Sequence, residues 1–558
     1  MLKDFFTQRL KRGLVRHFNN LKVARVALQV AKREPKPSGQ PVVFFKASTG
    51  IDDLSWNAGF HLLTTWALRL QGIPVAYFAC NGGLSKCVLG TNRDDPHKEM
   101  PCRSCVYQSR TLYKGIQVHK YTGRADWSRS IPMGQSAPQQ TSITWLDADR
   151  DEQLLSHISH LSLAELMTFE HENIPLGALC LPGLRWILRV HHLTDDESTR
   201  YLLREYILSA WNVARKFSKF LDETDPRIVV VFNGQFFPEA TAAYLARKRG
   251  IRVITHEVGF KTGTAFFCDG EATIYPIHIP DSFEMNEHQN ALLDDYLAKR
   301  FQGDFTMAGI KFWPDMKSLD ESFLQKAAGF RQIVPIFTNV IFDTSQPHAN
   351  VVFGDMFHWL DVVLEIIRAH PETLFVVRAH PDEARVRKSS RETVEDWVTR
   401  NGVRDEANVV FVSPKETLSS YDLIQRSKFV MVYNSTIGLE ASIMGVPVLC
   451  AGKARFTQYP TVFFPQTVQA HKSKLEELLN ADRIETPAEF KRNARRFLYY
   501  QVFRSSLPFE DFLEPSVRTT QTRLKTFDLE KLSPAKSRAM ETIFDGLLNN
   551  GDFLMKEK

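Results

Sequence analysis

Short, wholly apolar runs alternate along much of this chain with longer segments whose apolar positions recur at helical spacing. Residues 41–46 read as a strand that ends in Ser48-Thr49-Gly50, 56–71 as a helix that Gly72 stops, and 75–80 as the next strand. The alternation resumes after Asp225, with a strand at 228–232, a turn at Asn233-Gly234, a helix at 238–249, Gly250, and a strand at 252–256. A third series starts near Gln332, with strands at 334–337, 374–378, 408–412, 429–433 and 447–450. Helices at 356–369, 392–401, 419–426 and 435–444 separate those strands. Residues 107–224 read as irregular and helical. Strands alternating with helices at this spacing predict parallel sheets wound by right-handed crossovers.

The fold class predicted is therefore α/β, with two Rossmann-like domains facing a cleft. Residues 1–36 form a helical N-terminal arm closed by the Pro/Gly/Ser-bearing linker 34–40. Residues 37–325 make the first domain, 326–485 the second, and 486–558 a helical tail crossing back onto the first.

Composition narrows the class further. With 558 residues, 43% hydrophobic and 24% charged, the chain is neither fibrous nor disordered and is long enough for two cores. No apolar run is long enough to span a bilayer, and residues 1–33 lack a secretory signal pattern, so a cytoplasmic location is expected. The net charge of +6 is unevenly placed. Residues 1–33 hold nine Lys or Arg against the single acid Asp4, so the body is slightly acidic. A nearly neutral body argues against a nucleic-acid partner. The arm's Phe5, Leu10, Leu14, Phe18, Leu21 and Val26 recur at helical intervals. Two readings follow: contact with the anionic inner face of a membrane, or a helix packed on the body.

In open α/β sheets, ligands bind beyond the carboxyl ends of the strands, which directs attention to three stretches. In Tyr433-Asn434-Ser435-Thr436, a strand ends and a helix begins. Asn434, the Ser435 and Thr436 hydroxyls and the helix N–H groups suit a phosphate, and Glu440, one turn on, suits ribose hydroxyls. Simple capping by Ser435 is the alternative. In Arg378-Ala379-His380-Pro381, the proline holds His380 extended, and Arg378 with His380 can meet a departing phosphate. In Glu257-Val258-Gly259-Phe260, Glu257 can serve as general base, or pair with Lys261.

His380-Pro381, Ser435-Thr436 with Gly438-x-Glu440-Ala441, the Glu257-x-Gly259-Phe260 loop and the 451–456 stretch together resemble GT-B glycosyltransferases. The resemblance is to capsule-polysaccharide synthesis proteins, including Kdo transferases, and to bacterial sialyltransferases. It implies that His380, Ser435 and Thr436 bind the donor phosphate; with Arg378, Asn434 and Glu440 from the residues themselves, these make the expected site for a CMP- or UDP-linked sugar donor. It further implies that the acidic residue, Glu257, activates the acceptor; Glu257 and His380 are the expected catalytic residues, with Gly259 and Asn233 on the acceptor side and chemistry without a metal at the reacting centre. The acceptor would be a glycan, glycolipid or protein. Val258 departs from relatives that carry a second acid there. CDP-glycerol-type phosphotransferases and UDP-GlcNAc 2-epimerases share the His-Pro and Ser-Thr logic. An epimerase, a glycerophosphotransferase or a non-catalytic binding scaffold is thus the rival reading.

Four of the seven cysteines follow the spacing Cys80-x6-Cys87-x14-Cys102-x2-Cys105. That spacing predicts tetrahedral thiolate ligation of a structural zinc, with an iron–sulfur cluster or unligated thiols as alternatives. Asp147-Ala148-Asp149 reads as capping charge for a helix over 150–160, and His157, His160, His191 and His192 as packing or surface residues.

Overall fold

The computed structural model describes residues 2–47, 53–118, 141–301, 306–307, 310–311, 318–385 and 389–557, leaving the side chains of 2–10 and 306–311 undescribed. The expected strand end at Ser48-Thr49-Gly50, and the side chains of Phe5 and Leu10, therefore lie outside the described residues. The chain forms two compact units: Met1–Ile187 with Thr194–Thr273 and Arg504–Lys558, and Leu188–Leu193 with Ile274–Phe503.

The first unit is built on an eight-stranded sheet. Its order is Leu507–Pro508, Thr264–Asp269, Arg252–Val258, Ile228–Phe232, Val42–Lys46, Val75–Cys80, Ser142–Leu146, Gln117–Val118. The pairs from Arg252–Val258 to Gln117–Val118 are parallel, and the other two are antiparallel. Val42–Lys46 and Val75–Cys80 are buried almost throughout, which is why they read as unbroken apolar runs. Ser55 starts the helix Trp56–Leu70 by accepting a hydrogen bond from the Ala58 N–H, and Gly72, at φ +74°, lets the chain turn after it.

The second unit's sheet has five strands, in the order Val409–Val412, Thr373–Arg378, Gln332–Phe337, Val430–Val432, Val448–Cys450. Every pair is parallel. Each unit thus has a parallel core whose strand order reverses around one strand, Val42–Lys46 in the first and Gln332–Phe337 in the second. Both units are Rossmann-like.

The expected division at 325/326 moves to 273/274, because the helix Glu287–Phe301 docks within the second unit. Asp294 pairs with Arg495 at 2.7 Å and Asn290 accepts from Arg495 at 2.9 Å. The segment 188–193 joins the same unit: the Arg189 carbonyl accepts from the Arg391 N–H, and its guanidinium stacks on Phe342. Residues 504–558 contribute Leu507, Phe509, Leu513, Ile543 and Phe553 to the core of the first unit.

The helix Leu2–Arg33 divides its apolar positions between two stripes. Val23, Ala27 and Val30, at i, i+4, i+7, are fully buried in the first unit's core. Leu14, Phe18 and Leu21 are more than half exposed. Over residues 19–30 the packed reading holds, through a stripe the hydrophobic pattern did not single out. Among the described residues, no helix is long and apolar enough to cross a membrane.

Candidate functional site

In the second unit the strand order reverses between Gln332–Phe337 and Val430–Val432, and crevices at such reversals are where α/β sheets take ligands. The residues leaving those strands bridge there. Asn339 Nδ2 donates to Asn434 Oδ1 at 2.5 Å, Gln346 Nε2 approaches the same oxygen at 3.4 Å, and Asn434 Nδ2 donates to Ser345 Oγ at 3.4 Å. Thr338 Oγ1 donates to the Arg378 carbonyl and ties this turn to the neighbouring strand's end. Thr338, Asn339, Ser345 and Gln346 were missed in the sequence, although Thr338 and Asn339 follow an apolar strand as directly as Asn434 does.

The helix Ile437–Met444 starts at this turn, and its N-cap Thr436 makes no side-chain capping bond. Capping is therefore not what occupies the Thr436 hydroxyl. Ser435, Thr436 and Ile437 are all half-buried at the helix start, where the N–H groups and dipole favour an anion. Gly445, at φ +86°, ends the helix, as the Gly-Val-Pro sequence predicts.

His380 stands at the end of Thr373–Arg378 with φ −72° and ψ 134°, the extended conformation that Pro381 requires. Its Nδ1 accepts the Asp382 N–H at 3.2 Å, so the ring proton sits on Nε2 when the imidazole is neutral. Burial holds the imidazole below its ordinary range, so at pH 7 it is a neutral Nε2–H donor. Arg378 is 4% exposed. Burial pulls its guanidinium down to about 10, which leaves it cationic at pH 7 with Glu416 as a nearby counter-charge.

Glu440 does not do what its spacing suggested. It is 3% exposed, and its Oε1 accepts from Arg300 Nε at 2.8 Å and Nη2 at 2.6 Å, while Oε2 accepts from Tyr421. A carboxylate held on both oxygens by internal donors is not presented to a ribose, and its role here is to anchor the helix.

In the first unit, Glu257 lies near the end of Arg252–Val258. Its Oε1 accepts from Asn57 Nδ2 at 2.9 Å and from the Val258 N–H at 2.8 Å, and its Oε2 from Asn233 Nδ2 at 3.2 Å. Asn233 is the first residue of the Asn-Gly turn, with φ +24°, and its Oδ1 accepts the Gln235 N–H, which fixes the amide facing Glu257. Gly259 is a packing requirement: a Cβ there would stand 2.3 Å from Thr264 Oγ1.

A buried titratable group lies beside this loop and went unnoticed in the sequence, although Lys46 closes an otherwise apolar strand. Lys46, His61, Glu239 and His256 are all at most 6% exposed. Burial lowers Lys46 and lifts Glu239 to about 7, and each partly offsets the other's shift. Burial, with Lys46 nearby, holds His256 down to about 3 and lowers His61 as well. A histidine whose folded pKa is depressed below the ordinary 6.5 leaves the unfolded chain binding more protons in acid. Its stability contribution is complete above pH 6.5 and is lost as pH falls toward about 3. Denaturant midpoints measured between pH 7.5 and pH 5 should fall in acid, and His256→Phe should flatten that fall.

The four cysteines converge. Cys80, Cys87, Cys102 and Cys105 line one cavity with Ala47, Gly82, Leu84, Gly90, Met100 and Val106. Burial raises Cys80 to about 11 and lifts Cys87 and Cys102 as well. Elsewhere, His191, His192 and Asp355 bring one ligand atom each to within 4.8 Å of one another.

That histidine group corrects another expectation, since His191 and His192 do have carboxylate partners. His192 lies between Asp355, at 3.2 Å, and Glu392, at 2.5 Å, and Glu392 also accepts both histidines' N–H groups. Burial opposes its charge, but the bond to Glu392 and the nearby Asp355 prevail and raise its pKa. His192 thus tethers 188–193 to Asp355 and Glu392 of the second unit. His157 and His160 are exposed, as expected. Asp147 and Asp149 are not caps: Asp147 accepts from Asn81, Asp149 pairs with Lys216, and Asp151 caps the helix Glu152–Ile158.

Residues 319–479 match the family model described as capsule polysaccharide biosynthesis protein. That span contains His380, Asn434, Ser435 and Thr436. Over 230 residues the chain is 26% identical to Protein FixF of Sinorhizobium fredii, covering 41% of this chain and 49% of that relative. The chain thus spans about half the length of the curated relative it matches. Among solved structures, the β-Kdo 2,4 transferase of Thermosulfurimonas dismutans KpsC is 12% identical, covering 48% of this chain and 79% of that one, with a TM-score of 0.32. The β-Kdo 2,7 transferase of the same KpsC is 13% identical, with coverage of 57% and 86% and a TM-score of 0.27. The UDP-GlcNAc 2-epimerase of Neisseria meningitidis, solved with UDP-GlcNAc, is 16% identical, with coverage of 65% and 91% and a TM-score of 0.23. The family model's match takes in every strand of the second unit's sheet, from Gln332–Phe337 to Val448–Cys450.

Proposed function

We propose that the chain is a glycosyltransferase that moves a sugar from a nucleotide-sugar donor, CMP- or UDP-linked, to a glycan, glycolipid or protein acceptor. The observation that carries this reading is the coincidence of two facts. The polar turn at the second sheet's strand-order reversal holds Asn339, Asn434, Ser435 and Thr436 together, and it falls inside the residues matched by the capsule-biosynthesis family.

In this reading the donor phosphate sits against Ser435, Thr436 and the N–H groups that open Ile437–Met444. The bond from the anomeric carbon to the phosphate oxygen breaks as the acceptor oxygen attacks that carbon. Arg378 and the His380 Nε2–H take up the charge left on the phosphate, so the reacting centre needs no metal. Glu257 takes the acceptor proton, oriented by Asn57 and Asn233. The exposed Leu14, Phe18 and Leu21, with the exposed Lys11, Arg16 and Arg25 on the same helix, support peripheral contact with an anionic membrane.

Calorimetry with CMP, UDP, CDP and GDP tests the donor site. CMP or UDP should bind, and His380→Ala and Ser435→Ala should each weaken that binding by about 1–3 kcal/mol, the scale of a hydrogen bond to a charged group. Binding of none of the four would favour the scaffold reading, and a sugar converted without any acceptor would favour the epimerase.

A further inference from the structure

We propose that His191, His192 and Asp355 bind a zinc ion on the second unit, with Glu392 supporting them from behind. The three side chains offer one ligand atom each, all within 4.8 Å of one another. His192 Nε2 stands 3.2 Å from Asp355 Oδ2. Two ligands about 2.1 Å from a tetrahedral zinc lie about 3.4 Å apart, so an ion can join that pair with little movement. The chain bends at His191-His192, and both neighbouring rings reach the same carboxylate.

His192 and Asp355 are each oriented by bonds that leave the ligating atom alone. His192 Nδ1 lies 2.5 Å from Glu392 Oε1, which places a proton on Nδ1 and turns Nε2 toward Asp355. A carboxylate behind a histidine in this way is the usual outer support of a metal ligand. Asp355 Oδ1 accepts the Phe357 and His358 N–H groups at the start of the helix Met356–Ala369, and Oδ2 faces His192. Glu392 Oε2 accepts the N–H groups of His191 at 2.8 Å and His192 at 3.1 Å, which holds the backbone carrying both rings.

The donor set selects the ion. Two imidazoles with one carboxylate suit zinc, whereas magnesium and calcium take oxygen ligands. The His192 side chain is 59% exposed, so the group opens to solvent on one side, where a water completes four ligands. The Asp355 and Glu392 carboxylates balance the two charges of the ion. Zinc replaces the proton that otherwise joins Nε2 to Oδ2, and that proton leaves to solvent. Residues 188–193 belong to the second unit while the chain on either side of them belongs to the first, so the ion would clamp this short segment in place. The proposal stands independently of the donor site and gives the ion no part in sugar transfer.

Zinc content and affinity of the chelator-stripped full chain, read against a chromogenic chelator, test it. The wild type should hold about one zinc more than His191→Ala or Asp355→Asn. Zinc on the four cysteines would be common to all three and cancels in the difference. His191→Ala removes a ligand but leaves His192 bonded to Asp355 and Glu392, and an ion pair without metal does not need that ring. Asp355→Asn keeps an oxygen for the helix N–H groups and loses the charged ligand. Glu392→Gln should weaken zinc binding by about 10–100-fold. X-ray absorption of the zinc-loaded wild type should show nitrogen and oxygen at about 2.0–2.1 Å, distinct from sulfur at about 2.3 Å, and this holds even where a variant misfolds. Equal zinc in wild type and variants, a sulfur-only shell, or a preference for magnesium, calcium or ferrous iron would each overturn the proposal.

Discussion

Glu257→Gln is expected to leave nucleotide affinity unchanged and to lower transfer by a factor of about 10² or more, the range set by losing a positioned general base. The substitution keeps the side chain's size and one oxygen for the Asn57 and Val258 donors. It replaces the oxygen that Asn233 addresses with an N–H donor, and Asn233 cannot simply turn its amide over, because its Oδ1 holds the Gln235 N–H. A small loss of stability should accompany the loss of turnover. Asp147→Asn is the matched control and should do almost nothing, since Asp147 is engaged with Asn81. Full activity in Glu257→Gln together with none in Asp147→Asn would place the chemistry at Asp147-Ala148-Asp149 instead.

The second large effect concerns stability. Arg300→Met should destabilise the second unit by about 3–5 kcal/mol, because it strands the Glu440 carboxylate in a buried site. Both side chains are about 5% exposed or less, and the two guanidinium bonds to Oε1 are 2.6 and 2.8 Å. Arg300→Met with Glu440→Leu should recover most of that loss, since an apolar pair leaves no uncompensated charge. Thermal unfolding of the single and double variants measures both numbers. A double variant as unstable as the single one would mean that Tyr421 and Tyr296, which also bond the pair, carry the anchoring.

The contrast between Glu440 and His380 explains what the sequence made legible. His380 is constrained by its neighbour Pro381 and by the end of a wholly buried strand, Thr373–Arg378, and both are local signals. The same holds for the helix Met356–Ala369, whose start and end match the hydrophobic pattern, and for Gly445 at the end of Ile437–Met444. The partner of Glu440 lies on a helix far earlier in the chain, and no spacing rule connects the two. The 188–193 tether is another distant contact: His192 reads as a surface residue until Asp355 and Glu392 arrive beside it. The cysteine spacing pointed to convergence, and the four cysteines do line one cavity.

The first unit also has a history in time. Its sheet edge at Thr264–Asp269 is covered by Leu507–Pro508, and its core is completed by residues out to Met555. Between Thr273 and Arg504 the ribosome must make the whole main body of the second unit, about 230 residues. At about 5–20 residues per second, that is a wait of roughly 10–50 s. Throughout it, the helix Trp56–Leu70 lacks the side chains that will cover it, and the strand Thr264–Asp269 offers an open edge to any neighbour. The unit that begins first is therefore the one that finishes last. Nascent chains stalled before residue 504 should be the ones that chaperones hold and proteases clear.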